Sequence, residues 1–367
     1  MNLKIYDRKT NMNVEKFSKF SLNLKYDSIG SSFSISFYFD PENPNDKKLA
    51  APSQYNLAKV YHNGELLLTG FIVNQSFRSS ADPNLVSFSG YSVPGVLEDC
   101  QIPTSTYPLQ YDGLTFKEIA DKVVGPFAID IVIDDAVEEN TNEAIVAKAS
   151  KKKTVKAKMK EKITKMTADA NTTVKAFLTD LATQKDIILT HDEKGSLVFT
   201  KAKTSQKAIF HFEKDALGIE MGLTFNGQGI NSHITVLKQA DIDGGNAGEY
   251  TLINPYVPRG TNSYRPKVVI QRVGDDISTQ EVARNILRSQ LKNIQVTISI
   301  NNWDVNGKVI KPNSIVTVTN KELFIYKKTR LFVEEVNYQG DSESLTATLS
   351  CVLPEVYNDD EFVNIFV

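Results

Sequence analysis

The segment over residues 276–354 constrains the fold most, because its pattern predicts one helix followed by a series of short strands. Ser278 and Glu281 have the spacing of a capping box, and apolar residues then recur at helical intervals. Strict alternation over residues 296–300 begins four predicted strands, which are arranged around the single tryptophan, Trp303. A β meander of this kind predicts a barrel wall, and it contains no pattern typical of catalysis.

The first hundred residues also favour β-structure. Apolar residues alternate over 20–26 and again over 33–39, and Asn63-Gly64 is a strong type I′ hairpin sequence. Five or six short strands in this length predict a small sandwich or barrel.

The pattern changes after Pro103. Thr115 and Glu118 form a predicted capping box, and a second helix is expected to begin at one of residues 171–173. A strand over 128–133 and a hairpin over 187–199 are expected beside these helices. The segment 101–205 is therefore predicted to be an α/β insert.

A strand-rich region follows over 206–238, then a loop over 241–250 and the helix that begins near Ser278. The hairpin over 59–66 is similar to the one over 316–323, and each is followed by a strand rich in Ser or Thr. Either chance similarity between hairpins or a duplicated barrel accounts for this repeat.

Bulk composition narrows the class of protein. At 367 residues the chain is expected to hold about two to four domains, and 41% hydrophobic with 23% charged residues is typical of a folded protein. A net charge of -2 argues against a dedicated nucleic-acid binder. No window of about 18 apolar residues occurs in the sequence, so neither a membrane span nor a secretory leader is expected. Cys100 and Cys351 are expected to be reduced thiols, with Cys351 in the core.

The order of these pieces resembles the tail hub proteins of contractile-tailed phages, the Mu-type baseplate hub or late control D family. The resemblance covers nearly the whole chain, and the segments that carry it are 173–182, 190–200, 265–269, 281–291, 296–306 and 312–318. Residues 138–170 depart from the family pattern, being longer and richer in lysine.

The resemblance implies an α+β, mainly β fold with two tail-tube-like β-barrels and α/β insert domains. Three chains would form a ring of six barrels that adapts a sixfold tail tube to a threefold spike. The implied domains are a first barrel over 1–100, an α/β insert over 101–205, a second barrel over 206–238 with 295–354, a loop and helix segment over 239–294, and a C-terminal docking tail over 355–367.

The implied function is that of a structural protein without enzymatic activity, cofactor or metal. Its expected partners are itself as a homotrimer, the tail-tube protein and the central spike protein, with neither a membrane span nor specific nucleic-acid binding. Its expected location is the virion tail baseplate, assembled in the host bacterial cytoplasm.

Two other classes of protein stay open. The hub interpretation predicts that Trp303 packs in the core at the mouth of the second barrel, with its N–H on a carbonyl. One alternative is a carbohydrate- or surface-binding β module, in which Trp303 would stack on a ligand. The other is a cell-wall hydrolase, which needs two carboxylates about 5–10 Å apart. The acidic pairs are adjacent in sequence, so in a strand their side chains point to opposite faces. These pairs are Asp134-Asp135, Glu138-Glu139 and Glu334-Glu335.

Two further segments have a predicted role. Residues 148–165 carry nine lysines, and Val155, Ala157 and Met159 alternate with lysines, which predicts a strand with one cationic face. That face is expected to be a solvated edge, with contact to an acidic neighbour or to DNA as the alternatives. The tail is expected to be covered, either within the chain or by a partner. Its predicted docking residues are Phe362, Val363, Ile365, Phe366 and Val367.

Overall fold

The computed structural model describes residues 2–6, 11–14, 17–79, 85–135, 154–214, 218–238, 247–271, 278–341, 343–358 and 360–366. The described residues have an α+β, mainly β fold, as predicted. The chain divides into two discontinuous compact units. Unit 1 consists of Met1–Gln206, Asn301–Pro312 and Glu335–Ala347, and unit 2 of Lys207–Ile300, Asn313–Glu334 and Thr348–Val367.

The first part of unit 1 is an antiparallel sheet. Apolar and polar residues alternate along its strands, so one face of the sheet is apolar and buried. Its strands are β1 (Asn2–Tyr6), β2 (Asn11–Val14), β3 (Lys19–Lys25), β4 (Ser32–Tyr38), β5 (Leu57–His62), β6 (Glu65–Arg78) and β7 (Leu85–Ser92). They pair in the order β2-β1-β5-β6-β7-β4-β3. The outer edge of β3 pairs with the last seven residues of the long strand β20 (Ile325–Asp341).

Local sequence explains the main turns of this sheet. Asn63 and Gly64 both have positive φ, at 47° and 83°, as the predicted type I′ turn requires. A short helix, α1 (Pro44–Ala50), interrupts the region that was predicted to be almost entirely strand. The side chain of Asn43 caps it by accepting from the backbone N–H of Asn45.

The α/β part of unit 1 follows. It contains α2 (Val96–Asp99), α3 (Phe116–Val124), β8 (Ile131–Ile133), α4 (Val155–Met159), α5 (Val174–Gln184), β9 (Ile188–His191) and β10 (Leu197–Thr200). The reciprocal capping box of Thr115 and Glu118 is present, and Thr173 caps α5. The predicted strand over 128–133 begins only at Ile131, because Ala128 has a left-handed backbone.

The prediction of a strand over the lysine-rich residues 155–160 is wrong. Val155 and Met159 lie one helical turn apart and are both buried, so they form the inner face of α4. Thr154 caps this helix by accepting from the backbone N–H of Ala157. Over so few residues, apolar residues at positions 155, 157 and 159 fit either a strand or a helix. Burial of Val155 and Met159, an i, i+4 pair, favours the helix. Lysines 148 and 151–153 lie outside the described residues.

Unit 2 contains a second set of strands. They are β11 (Phe210–Glu213), β12 (Ile219–Phe225), β16 (Ile294–Ile300), β19 (Ser314–Asn320), the first part of β20, and β21 (Leu345–Val352), whose first residues belong to unit 1. A two-stranded ribbon precedes β19 in the chain and belongs to unit 1. Its strands are β17 (Asp304–Val305) and β18 (Lys308–Val309).

A separate three-stranded sheet lies within unit 2, in the order β14-β13-β15. Its strands are β13 (His233–Lys238), β14 (Gly248–Ile253) and β15 (Pro266–Gln271), and the helix α6 (Thr279–Leu291) packs against β13 and β14. Residues 233–238, predicted to belong to the second barrel, therefore pair with this sheet instead. A loop was predicted over residues 241–250, but β14 begins at Gly248. Pairing with β13 overrides the preference of Gly248 for a turn.

The two sets of strands share one order of pairing. In unit 1 the order is β1-β5-β6-β7-β4-β3, and the second set follows β11-β19-β20-β21-β16-β12. In unit 1 the hairpin β5-β6 leads into the long strand β6, which pairs with β5 at its start and with β7 further on. In the second set the hairpin β19-β20 leads into the long strand β20, which pairs with β19 and β21. They differ at one end, where β1 is antiparallel to β5 and β11 is parallel to β19. Backbone pairing among the described residues closes neither set into a barrel.

We expect Gly90→Ala to destabilise the protein by about 3 kcal/mol or more, or to prevent folding, because overpacking here meets rigid backbone. A Cβ at Gly90 would lie 1.8 Å from the carbonyl oxygen of Phe71 on the neighbouring strand. Gly125→Ala is the matched control, since its Cβ would meet open space. Chemical denaturation measures both variants, and equal stability of the two would contradict the packing of β6 on β7.

Candidate assembly surfaces

The core around Trp303 is the most specific cluster in unit 1. Its side chain is fully buried, and the indole N–H donates to the carbonyl oxygen of Gln339 at 2.7 Å. Its ring centroid lies 5.5 Å from that of Phe20, 5.1 Å from His62 and 5.2 Å from Tyr338. A buried tryptophan with a satisfied N–H is a packing element, and this geometry leaves no open face for stacking on a ligand.

A buried histidine and a carboxylate lie beside this tryptophan. His62 is 3% exposed, and its Nε2 lies 3.3 Å from Oδ2 of Asp304. The hydroxyl of Tyr338 donates to the carbonyl oxygen of Ile310 at 2.5 Å, and burial raises the pKa of that hydroxyl. These polar contacts hold residues 301–312 against the sheet of unit 1. They also fix the orientation of the side chains that pack around Trp303.

The other histidines are dispersed. His191 Nδ1 lies 3.0 Å from the carbonyl oxygen of Asp192, and loss of solvent lowers the pKa of this imidazole. His211 contacts Glu213, and His233 packs edge-on against Tyr264. Within the described ranges, no group of three or more His, Cys, Asp or Glu side chains is arranged to hold a metal ion.

The two acidic pairs that the structure describes have separate partners. Asp134 pairs with Lys203 at 3.1 Å, and Asp135 accepts from the backbone N–H of Lys156. The partners of Glu334 are Lys292 and Tyr357, whereas Glu335 binds Lys25 and Asn23. Neither pair thus directs two carboxylates at one point, as acid catalysis of glycoside hydrolysis requires. Glu138 and Glu139 lie outside the described residues.

One lysine of the lysine-rich segment, Lys158, is held by groups of its own chain. Lys158 Nζ donates to the carbonyl oxygen of Lys185 and lies 3.4 Å from Asp186 Oδ2, which Lys201 approaches to 2.6 Å. Loss of solvent lowers the pKa of Lys158 to about 8. Lys185 pairs with Glu161 at 2.9 Å. Lys158 is therefore not part of an open cationic face, whereas Lys156, Lys160, Lys162 and Lys165 of the same segment are exposed.

Unit 1 has a polar, uncharged cleft on the outer face of its sheet. Ser21, Ser34, Ser89 and Asn74 lie in one row across β3, β4, β7 and β6. With Ser32, Tyr91 and neighbouring backbone they line a cavity of about 310 Å³. The alternation of Ser with Phe and Ile over 32–37 could have indicated this face from the sequence, but the assembly of the row needs the register of four strands.

The C-terminal tail lies against its own chain in unit 2. The Tyr256 hydroxyl donates to the carbonyl oxygen of Val363 at 2.6 Å, and the Phe366 ring packs near the rings of Tyr256 and Phe225. Arg284 lies 5.2 Å from the ring centroid of Phe362. Val363 nonetheless stays 60% exposed. The tail is anchored within the chain and still presents apolar surface, so its role in docking a partner stays a prediction. Val367 lies outside the described residues.

Comparison with solved structures places this fold among phage tail proteins. The 43 kDa tail protein of prophage MuSo2 from Shewanella oneidensis matches with a TM-score of 0.75 and 18% identity, over 98% of this chain and 100% of that one. A tail protein from Neisseria meningitidis MC58 matches at 0.73 and 17%, over 97% of each chain. An Escherichia coli component of the type VI secretion system, similar to T4 tail proteins gp27 and gp5, matches at 0.54 and 10%, over 96% and 77%.

These matches confirm at the level of fold the resemblance to phage tail baseplate proteins. No protein-family model matches the sequence, and no curated protein matches it. None of the described helices is long and apolar enough to cross a membrane.

Replacing the buried indole is expected to destabilise unit 1. Trp303→Ala removes three ring contacts and leaves the carbonyl of Gln339 without its donor, so we expect a loss of about 3–5 kcal/mol. Urea denaturation followed by circular dichroism measures it. An unchanged melting curve together with loss of a binding partner would identify Trp303 as a ligand-contacting residue instead.

The two cysteines are expected to differ in reactivity. Cys351 is fully buried, and burial raises the pKa of its thiol, whereas Cys100 is partly exposed. Because the thiolate is the reactive form, one thiol should react with Ellman's reagent in the native protein and two in denaturant. Cys100→Ser should abolish the native reaction. Two fast native thiols would contradict the burial of Cys351.

Proposed function

We propose that this chain is the structural baseplate hub of a phage tail or of a related contractile injection machine. Three copies form a ring that adapts the sixfold tail tube to the threefold spike. The fold match over essentially the full length of both chains to the Shewanella oneidensis tail protein carries this proposal, since it extends across both units and the insertions between their strands. A shared fold supports a role only by analogy, and the ring must be tested directly.

The repeated strand order supports the ring geometry. A chain with two copies of one tube-like barrel presents two equivalent positions, so three chains supply six positions around a threefold axis. The order β5-β6-β7-β4-β3 and its counterpart β19-β20-β21-β16-β12 are the elements we assign to the two barrels. Two unrelated domains are not expected to share one strand order, because the order depends on how every connection of the domain runs.

The proposed partners are a second and third copy of the chain, the tail-tube protein and the central spike protein, and the proposed location is the virion tail, assembled in the host cytoplasm. A non-enzymatic role agrees with the separate partners of the described acidic pairs. The tail residues Phe362, Val363, Ile365, Phe366 and Val367 are proposed to dock a neighbouring subunit.

A carbohydrate-binding module is a second candidate function, and the serine-rich cleft of unit 1 favours it. Hydroxyl and amide groups without charge are suited to neutral sugar hydroxyls, and Tyr91 supplies a ring at the rim. Glycan-array binding by a monomeric chain, abolished by Ser34→Phe and Ser89→Phe, would favour this function over the hub.

Light scattering coupled to size exclusion tests the hub. We expect a mass of three chains, or a shift to three chains when the cognate spike protein is added. A chain that stays monomeric at every concentration, with and without the spike, would contradict the proposal. Loss of turbidity of purified cell walls on addition of the protein would instead support a hydrolase.

Deletion of residues 359–367 tests the tail. The tail is already anchored on its own chain and presents Val363, which is 60% exposed, so the truncated chain lacks this apolar contact and is expected to lose its trimer mass. Tyr256→Phe is a control that loosens the intrachain anchor and keeps the tail. A truncated chain that trimerises normally would remove the tail from the interface.

A further inference from the structure

The hairpin between β19 and β20 ends in an exposed aromatic pair. Phe324 is 59% exposed and Tyr326 is 53% exposed, with ring centroids 6.5 Å apart. Phe324 also has a φ of +59°, a left-handed conformation that is costly for a bulky side chain. Strain and apolar exposure at one hairpin end are typical of a functional contact surface.

Positive charge surrounds this aromatic pair. Lys321, Lys327 and Lys328 are all exposed. The one acidic residue of the turn, Glu322, pairs with Lys214. We name the five residues Lys321, Phe324, Tyr326, Lys327 and Lys328 the hairpin tip, and its chemistry suits a partner that is acidic and apolar together.

The C-terminal tail of the same chain has that complementary chemistry. Asp360 and Glu361 are exposed, and Val363, two residues after Glu361, is 60% exposed. Phe225, whose ring faces Phe366, is 45% exposed. We name Asp360, Glu361 and Val363 the tail surface. Its backbone is already ordered by Tyr256 and Arg284, so docking it would cost little additional chain entropy.

The hairpin tip and the base of the tail lie at different points along β20. The tail starts beside Glu334, whose carboxylate accepts from the Tyr357 hydroxyl. An extended strand rises about 3.3 Å per residue, so Tyr326 lies roughly 26 Å from Glu334 along β20. Two different surfaces at separate places on one subunit define a head-to-tail interface, which closes into a ring when the rotation allows.

We propose that the hairpin tip of one copy binds the tail surface of the next copy. The lysines of the tip face Asp360 and Glu361, and the rings of Phe324 and Tyr326 cover Val363. Three such contacts close the ring. This inference rests on the proposed homotrimer and names the surfaces that form it.

Charge reversal tests the contact in the full-length protein. Lys327→Glu with Lys328→Glu, and separately Asp360→Lys with Glu361→Lys, should each weaken association about tenfold or more, because each places like charges across the interface. Combining all four substitutions should restore the wild-type trimer mass. Light scattering and sedimentation over a concentration series measure this, and association of the wild type should weaken as sodium chloride is raised.

A glycine substitution separates binding from folding. Phe324→Gly removes the strained backbone together with the ring, so its melting temperature should change little while its trimer dissociates. Tyr55→Gly is the matched control, since Tyr55 also has a positive φ, of 48°, and is 65% exposed but lies in unit 1. This control should keep the trimer mass.

The outcomes separate the contact from the trimer. A wild-type trimer that persists in both charge-reversed variants overturns the contact and leaves the trimer standing. A quadruple variant that stays dissociated also overturns the pairing of these charges. A wild-type chain that is monomeric at every concentration, with and without the spike protein, overturns both.

Discussion

The pairing of Glu335–Asp341 with Lys19–Lys25 is the constraint on which unit 1 depends. It joins residues more than three hundred positions apart, such as Ser21 and Asn337, which are separated by 316. The same register turns Tyr338 inward, where it meets Trp303. Because the strand that pairs with β3 comes from the far end of the chain, this part of the sheet forms only after nearly all residues are available. Contacts this distant in sequence are typical of slow, cooperative folding.

The two sets of strands show how one pattern of pairing tolerates different additions. In unit 1, β3 and β4 are joined by a short turn, and the α/β part follows β7. The corresponding strands of unit 2, β12 and β16, are separated by the three-stranded sheet and α6. Insertions at strand connections disturb few backbone hydrogen bonds, so a set of strands can hold new elements there without losing its order of pairing.

The surfaces divide by chemistry. The outer face of the unit 1 sheet carries small neutral side chains around Ser34 and Ser89, whereas unit 2 carries the basic hairpin tip and the acidic tail surface. Charged, partly apolar surfaces suit specific and permanent contacts, since opposite charges select the partner and apolar burial supplies stability. The proposed ring places its interfaces on the charged surfaces of unit 2.

Local sequence determined the elements that depend on neighbouring residues. The capping residues Thr115, Thr173 and Ser278 and the Asn63-Gly64 turn were all predictable, because each rests on hydrogen bonds or dihedral preferences within a few positions. The order of these elements also indicated the class of fold. The alternation over 155–160 led to a wrong prediction of a strand. So short a pattern fits the period of a strand and that of a helix, and only burial distinguishes them.

Only the tertiary structure decided which distant residues meet. The sequence contains no local record of the pairing between β3 and β20, of His62 beside Asp304, or of β13 joining a sheet other than that of β12. The exposure of Phe324 likewise follows from the hairpin's position in the fold. The physical reason is that burial and long-range hydrogen bonding are shared between segments, so their free energy exists only once those segments are packed together.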